Sequence, residues 1–378
     1  MKKILYYTVR DMTIAGQGIN KKISTQIKTL RSYGYQVDAV YRKNDTELVM
    51  DTGDGTDHII KSGMKRPYKV SASKYLAQYL KEKKYDGVYI RYVFADGQFY
   101  RLLKLLQAKD TKVIIEIPTY PYDAEFHDSL ENRIVLLLDK LYRNRMKKYV
   151  DQIVTFSRDK SIYGIPTIQS CNGIDFSEVR IADHSNQQKD TISLIGVADL
   201  APWHGYDRLI VGLGRYYNNG GKRKILFYLV GEGTELKRYQ DLVEQYNLKD
   251  CVILCRSKFG KELDKIYDKC DIAVECLGLH RKGLTLSSSL KSREYAAKGL
   301  PMITSTDIDI FNANKYPYIC QFPSDETAID IDRLVKFYDT IYGDKNKNEI
   351  ASSIREYAKE LGDIKVVMEP IHRFFENQ

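Results

Sequence analysis

The sequence predicts an α/β chain of 378 residues, built as two tandem, doubly wound, Rossmann-like domains facing a central cleft. Three observations predict it. Short apolar runs alternate with helix-period segments from residue 4 to residue 156, the pattern of βαβ units and a parallel sheet. The polar stretch Asp183-His-Ser-Asn-Gln-Gln-Lys-Asp190 then reads as a linker. The alternation restarts at Thr191 and continues to Ser305. Two such sheets in tandem leave a cleft at their carboxyl edges, where doubly wound sheets bind ligands.

In the first domain, residues 4–9 read as a buried strand, 19–33 as a helix that Gly34 ends, and 36–41 as the next strand. Residues 71–84 read as a helix, 87–92 and 112–117 as strands, 131–149 as a helix and 152–156 as a strand. In the second domain, strands at 191–197, 225–230, 251–255, 272–275 and 301–305 alternate with helices at 205–217, 234–246, 260–269 and 289–298. Residues 346–378 read as helical, with 362–378 crossing back to complete the first domain. The expected domains are therefore 1–182 with 362–378, and 183–361.

Composition narrows the partners. Residues 1–180 hold 31 basic and 21 acidic residues, and the remainder holds 28 and 29, so the first half carries the whole positive excess. A basic half attracts anionic membranes or phosphorylated substrates. No nucleic-acid recognition module accompanies it, so nucleic acid is not an expected partner. The six cysteines form no CxxC pair and read as reduced thiols rather than zinc ligands. The first ten residues are too short an apolar run for a signal peptide, and no run approaches 18 apolar residues; the expected location is cytoplasmic. The segment 131–149 mixes aliphatic residues with Arg143, Arg145, Lys147 and Lys148, a composition that suits the surface of an anionic membrane as well as an ordinary basic outer face.

Residues 284–303 carry the most chemistry. They read as a small polar loop, a helix and a strand. Ser287, Ser288 and Ser289 offer caps, and the N–H groups near Ser289 and Leu290 point with the helix dipole toward any anion there. Lys291 and Glu294 are three apart and share one face. Gly299 closes the helix and Pro301 prevents its continuation. Amides for a diphosphate and a carboxylate one turn on for ribose hydroxyls suit a sugar nucleotide.

Other candidates cluster at strand ends. Gly16, Gln17 and Gly18 follow the first strand and open a helix, so backbone there can approach an acceptor or a phosphate. Gly231 and Gly233 follow a strand and let the chain turn beside a nucleotide. His204 follows the Pro202-Trp203 turn and binds phosphate as imidazolium or donates one hydrogen bond as imidazole. Arg256 and Lys258 end the strand 251–255 and offer cations to phosphate or base. His280-Arg281-Lys282-Gly283 adds basic groups near the serine-rich helix start.

In that order, these motifs resemble those of GT-B fold glycosyltransferases, and are most similar to glycosyltransferase family 4. Ala15-Gly-Gln-Gly-Ile19 resembles the family's glycine-rich loop, Asn172-Gly-Ile-Asp175 its Asn-Gly-Val-Asp element, and Gly231-Glu-Gly233 its Gly-x-Gly turn. Glu294 matches the second glutamate of the family's pair. The first would fall at Leu286; Val197 stands for the usual arginine, His204 for the usual lysine, and Glu116-Ile-Pro-Thr-Tyr-Pro-Tyr122 where a histidine is usual. The resemblance implies transfer of a sugar, with retention, from a nucleotide-sugar donor to an oligosaccharide or lipid-linked acceptor, as in bacterial surface-polysaccharide assembly. No protein nucleophile, cofactor or metal is expected: Asp307-Ile-Asp309 has the form of a metal motif but reads as a turn. A sugar-nucleotide epimerase and a catalytically silent partner subunit are the alternative readings.

Overall fold

The computed structural model describes residues 1–14, 18–44, 46–64, 68–123, 129–185, 190–311, 316–343 and 345–377. In chain order the first part forms β1 (Lys3–Asp11), α1 (Gly18–Ser32), β2 (Gln36–Lys43), β3 (Glu47–Asp51), β4 (Asp57–Lys61), α2 (Tyr68–Tyr79), β5 (Gly87–Arg91), α3 (Gly97–Gln107), β6 (Lys112–Ile117), α4 (Leu130–Tyr142), β7 (Gln152–Thr155), β8 (Ser161–Ile162) and β9 (Ile165–Gln169). The second part forms β10 (Thr191–Val197), α5 (Tyr206–Asn218), β11 (Lys224–Val230), α6 (Leu236–Gln245), β12 (Val252–Cys255), α7 (Gly260–Tyr267), β13 (Ile272–Val274), β14 (Leu286–Ser287), α8 (Leu290–Ala297), β15 (Met302–Thr304), β16 (Asp307–Ile308), β17 (Ile319–Gln321), α9 (Ile331–Tyr342), α10 (Lys347–Gly362) and α11 (Ile364–Glu376).

Two compact units result: 1–172 with 364–378, and 173–363. The first boundary lies before the expected residue 183, because residues 173–182 pack with the second unit. Ile174 bridges Asp363, Phe176 is fully buried in the second core, and the Ala182 amide donates to the Lys298 carbonyl at 2.9 Å. The helical tail breaks at Asp363, and α11 belongs to the first unit.

In the first unit the period-2 alternation of β1 sorts its side chains to two faces. Leu5, Tyr7 and Val9 enter one core with Leu76 of α2 and Leu102 and Leu103 of α3. Ile4 and Tyr6 enter the other, with Ile23, Ile27 and Leu30 of α1 and Met368, Ile371 and Phe375 of α11. The sheet order is β4-β3-β2-β1-β5-β6-β7-β9-β8, with β3 and β4 added antiparallel at one edge. A Cβ on Gly87 of β5 would lie 2.5 Å from the Phe375 ring, so this glycine admits α11. The hairpin β3–β4, helix α3, strands β8 and β9, and helix α9 add to the expected elements, and the segment expected as one helix over 131–149 is α-helical only to Tyr142, then 3₁₀ to Lys148.

The second unit has one core and a six-stranded parallel sheet ordered β12-β11-β10-β13-β15-β17. Strand order reverses beside β10, whose neighbours are β11 and β13. Ligand crevices of open parallel sheets form at such a switch point, outside the carboxyl ends of the strands. Here the β10 end leads to Pro202-Trp203-His204, and the β13 end leads to Glu275 and, after β14, to α8.

Candidate functional site

Helix α8 starts at a built cap. Ser289 is extended, and its hydroxyl accepts from the Ser292 amide at 3.1 Å. That cap serves one of the first-turn amides. The amides of Leu290 and Lys291 have no acceptor among the described residues. Leu290, Lys291 and Glu294 are each partly exposed, whereas Ser292 and Arg293 are fully buried. The helix start therefore presents two unpaired N–H groups, with the Lys291 ammonium held nearby against Cys276.

Arg293 locks that geometry from behind. Its guanidinium meets Asp309 at 2.5 Å, the Ser292 hydroxyl at 3.0 Å and the Ser289 carbonyl at 3.3 Å. The segment Asp307–Asp309, expected as a turn, includes strand β16, paired with β14, and its last carboxylate is the counter-ion of Arg293. The loop expected before the helix contains β14.

A second carboxylate stands where the sequence reading had none. Glu275 is fully buried at the end of β13, accepts from the Ser289 hydroxyl and from the Cys276 amide, and lies beside Lys291. A charged residue ending the apolar run Ile272-Ala-Val was the available signal. Lys291 Nζ reaches the Cys276 sulfur at 3.6 Å. Burial pulls the Lys291 ammonium toward neutrality, but Glu275, and the Cys276 sulfur once ionised, raise its pKa overall, so it stays charged. Burial, then Glu275, pushes the Cys276 thiol up to about 12, so it is protonated at neutral pH.

His204 is brought to the same place but not as a cation. Its Nδ1 accepts from the Ala201 amide at 3.2 Å, and its ring stacks on Tyr206, which Lys291 also approaches. Burial, then the Lys291 charge, lowers it to about 3. With Nδ1 accepting and burial disfavouring the charge, the setting favours the second of the two expected forms, a neutral imidazole with its proton on Nε2. Below pH ~6.5 the unfolded chain binds a proton that the folded chain refuses, so stability is full above that pH and falls as pH drops toward 3. The expected cost is about 1.4 kcal/mol per pH unit across that window. His204→Asn, which keeps an acceptor near the Nδ1 position, should flatten the pH dependence of the urea midpoint between pH 6 and 4.

Gly231 and Gly233 make a close backbone contact. Added Cβ atoms would lie 1.9 Å from the Ala198 carbonyl oxygen and 2.3 Å from that of Leu200. Their φ values are 139° and 152°. These glycines let the loops after β11 and β10 touch. Gly205 does the same against Gly278, whose amide nitrogen would lie 2.4 Å from a Cβ added there.

Arg256 is exposed, and Lys258 pairs with Glu262 at 3.5 Å. Both follow β12, two strands from β10, or roughly 10 Å across the sheet. Arg281 pairs with Asp207 and Glu326, and His280 pairs with Glu326 at 2.6 Å. Lys282 lies over the Trp203 ring at 4.1 Å. Gly18 opens α1 and is exposed, while Gly16 and Gln17 lie outside the described residues.

The Glu294 carboxylate has no hydrogen bond or ion pair among the described residues. A partly buried acceptor of this kind, one turn beyond two open amides and a held lysine, is equipped to bind paired hydroxyls.

Comparison with solved structures matches the whole chain. A glycosyltransferase from Rickettsia africae aligns over 99% of this chain and 98% of its own at 11% identity, with a TM-score of 0.65. HepE from Anabaena, solved with UDP and glucose, aligns over 100% of both chains at 12% identity and 0.61. WaaG, a glycosyltransferase of lipopolysaccharide biosynthesis, aligns over 99% and 100% at 12% identity and 0.63. The fold is that of the GT-B glycosyltransferases. No protein-family model matches the chain, and no curated protein matches it in sequence. No helix among the described residues is long and apolar enough to cross a membrane.

Proposed function

We propose that the chain is a retaining, metal-independent glycosyltransferase. It moves a sugar from a nucleoside-diphosphate sugar to a hydroxyl of a lipid-linked oligosaccharide, in bacterial polysaccharide or glycoconjugate assembly. It works in the cytoplasm, at the inner face of the membrane. The second unit holds the donor and the first unit holds the acceptor.

One observation carries the reading: the amino end of α8 combines open amides at Leu290 and Lys291, a charged Lys291 and an unpartnered Glu294 one turn on. The diphosphate would take the amides and the ammonium; the ribose hydroxyls would take Glu294. HepE, of the same fold, was solved with UDP and glucose, which makes uridine nucleotides the first donors to try.

In the transfer itself the acceptor oxygen forms a bond to the anomeric carbon as the bond from that carbon to the diphosphate oxygen breaks. Attack comes from the face the diphosphate leaves, which retains configuration. The hydroxyl proton passes to the departing diphosphate, so no protein nucleophile is required. Lys291 and the two amides oppose the charge that grows on the leaving group.

A thermal-shift panel of nucleotides and nucleotide sugars tests this. A ligand at 100 times its Kd adds about 2.7 kcal/mol. That corresponds to roughly 5–10 °C for a unit of this size. One nucleoside diphosphate should give such a shift with EDTA present, and its sugar conjugate should be consumed with retention once an acceptor is supplied. No shift with any nucleotide would reject the reading.

A further inference from the structure

Helix α4 is anchored on one side and bare on the other. Asp139 points inward, where it accepts from the Ala95 amide at 2.7 Å, from Tyr122 at 2.7 Å and from Tyr92. Leu136 is buried beside it. The opposite side carries Leu130, Ile134, Leu137 and Leu141, which are 78, 59, 63 and 62% exposed. Their spacing of four, three and four residues puts them on one narrow stripe. No other helix exposes four large aliphatic side chains among the described residues. Arg133 and Lys140 flank the stripe, and Arg145, Lys147 and Lys148 continue beyond it, all exposed; from Ser129 to Tyr149 six basic residues face two acidic ones, of which Asp139 is buried, and Lys140 and Arg143 also pair with Asp123 at 3.2 and 2.7 Å.

Two occupants suit an apolar stripe: a second copy or a lipid surface. Thirteen residues span about 20 Å and a helix is about 10 Å wide. A copy seated on this stripe would thus cover about 200 Å², against the ~800 Å² per partner of stable interfaces. It would also bring two basic flanks together. An anionic lipid surface meets both features, taking the aliphatic side chains into its acyl boundary and the cations among its headgroups.

We propose that α4 seats the first unit on an anionic membrane, with Leu130, Ile134, Leu137 and Leu141 inserted. The proposal deepens the lipid-linked reading of the acceptor, because it gives the chain a way to meet such a substrate at its own surface.

Vesicle co-sedimentation of the full chain tests it without any sugar nucleotide. Binding to vesicles with anionic phosphatidylglycerol should exceed binding to pure phosphatidylcholine by at least about tenfold and weaken with salt. The double variant Ile134→Glu with Leu137→Glu should lose about tenfold or more of that binding. Ile59→Glu, an equally exposed apolar site on β4, should keep it. These positions are on the surface, and an unchanged melting temperature confirms folding of each variant. Equal binding by wild type and the double variant would overturn the proposal. So would a wild-type dimer that the double variant turns into monomer. Nucleotide-induced melting shifts in the same variants separate the two readings: lost vesicle binding with intact shifts confines the effect to α4, while vesicle binding without any nucleotide shift sinks only the transfer reading.

Discussion

Glu294→Ala is expected to weaken donor binding by about 10- to 100-fold, with the melting temperature nearly unchanged. A hydrogen bond from a hydroxyl to a carboxylate contributes about 1.5–3 kcal/mol, which is that range of affinity. The variant leaves little behind to destabilise the fold, because the carboxylate has no partner among the described residues. Glu294→Gln keeps an acceptor but no charge and should fall between. Calorimetric titration with the nucleoside diphosphate that stabilises the wild type measures both. A Glu294→Ala protein that binds as tightly as wild type would remove the residue from the site and leave α8 with only its amides and Lys291.

Arg293→Met should act in the opposite way, on stability first. The residue is fully buried, and its loss strands Asp309, which is only 14% exposed in its side chain. Breaking one side of a buried pair costs about 3–5 kcal/mol. For a unit of this size that is roughly 10 °C in the melting temperature. The same change frees the Ser289 carbonyl and the β14–β16 loop, so donor binding should weaken as well. Adding Asp309→Asn should restore part of the stability, since no uncompensated charge remains. Equal melting temperatures for wild type and Arg293→Met would show that the pair does not hold the helix start.

Much of the architecture was legible because of where the strands lie. In parallel sheets covered on both faces, strands read as unbroken apolar runs, and β1, β10 and β11 do so. The helix stop at Gly299 was legible for a local reason as well: its φ is 80°, and a Cβ there would meet the Ala351 backbone. The β3–β4 hairpin was not, because β4 is mostly exposed and carries no apolar pattern. Helix α3 was passed over although the Asp96 cap and the spacing of Phe99, Leu102, Leu103 and Leu106 give a signal.

The site was less legible than the fold, and the reason is tertiary. Sequence shows a charged residue, not its counter-ion. Arg281, one of the basic groups near the helix start, pairs with Asp207 and Glu326, which lie 74 and 45 residues away in the chain. His204 looked able to carry charge until burial and Lys291 were placed around it. Glu275 was hidden by its position at the end of an apolar strand. The Ser289 cap and the helix it opens were legible because capping and helix phase are local properties.

The most direct test of the central claim is electron density for a bound nucleoside diphosphate. The account predicts phosphate oxygens within hydrogen-bonding distance of the Leu290 and Lys291 amides and the Lys291 ammonium, with the ribose hydroxyls on Glu294. A diphosphate seated elsewhere, with the start of α8 empty, would contradict it.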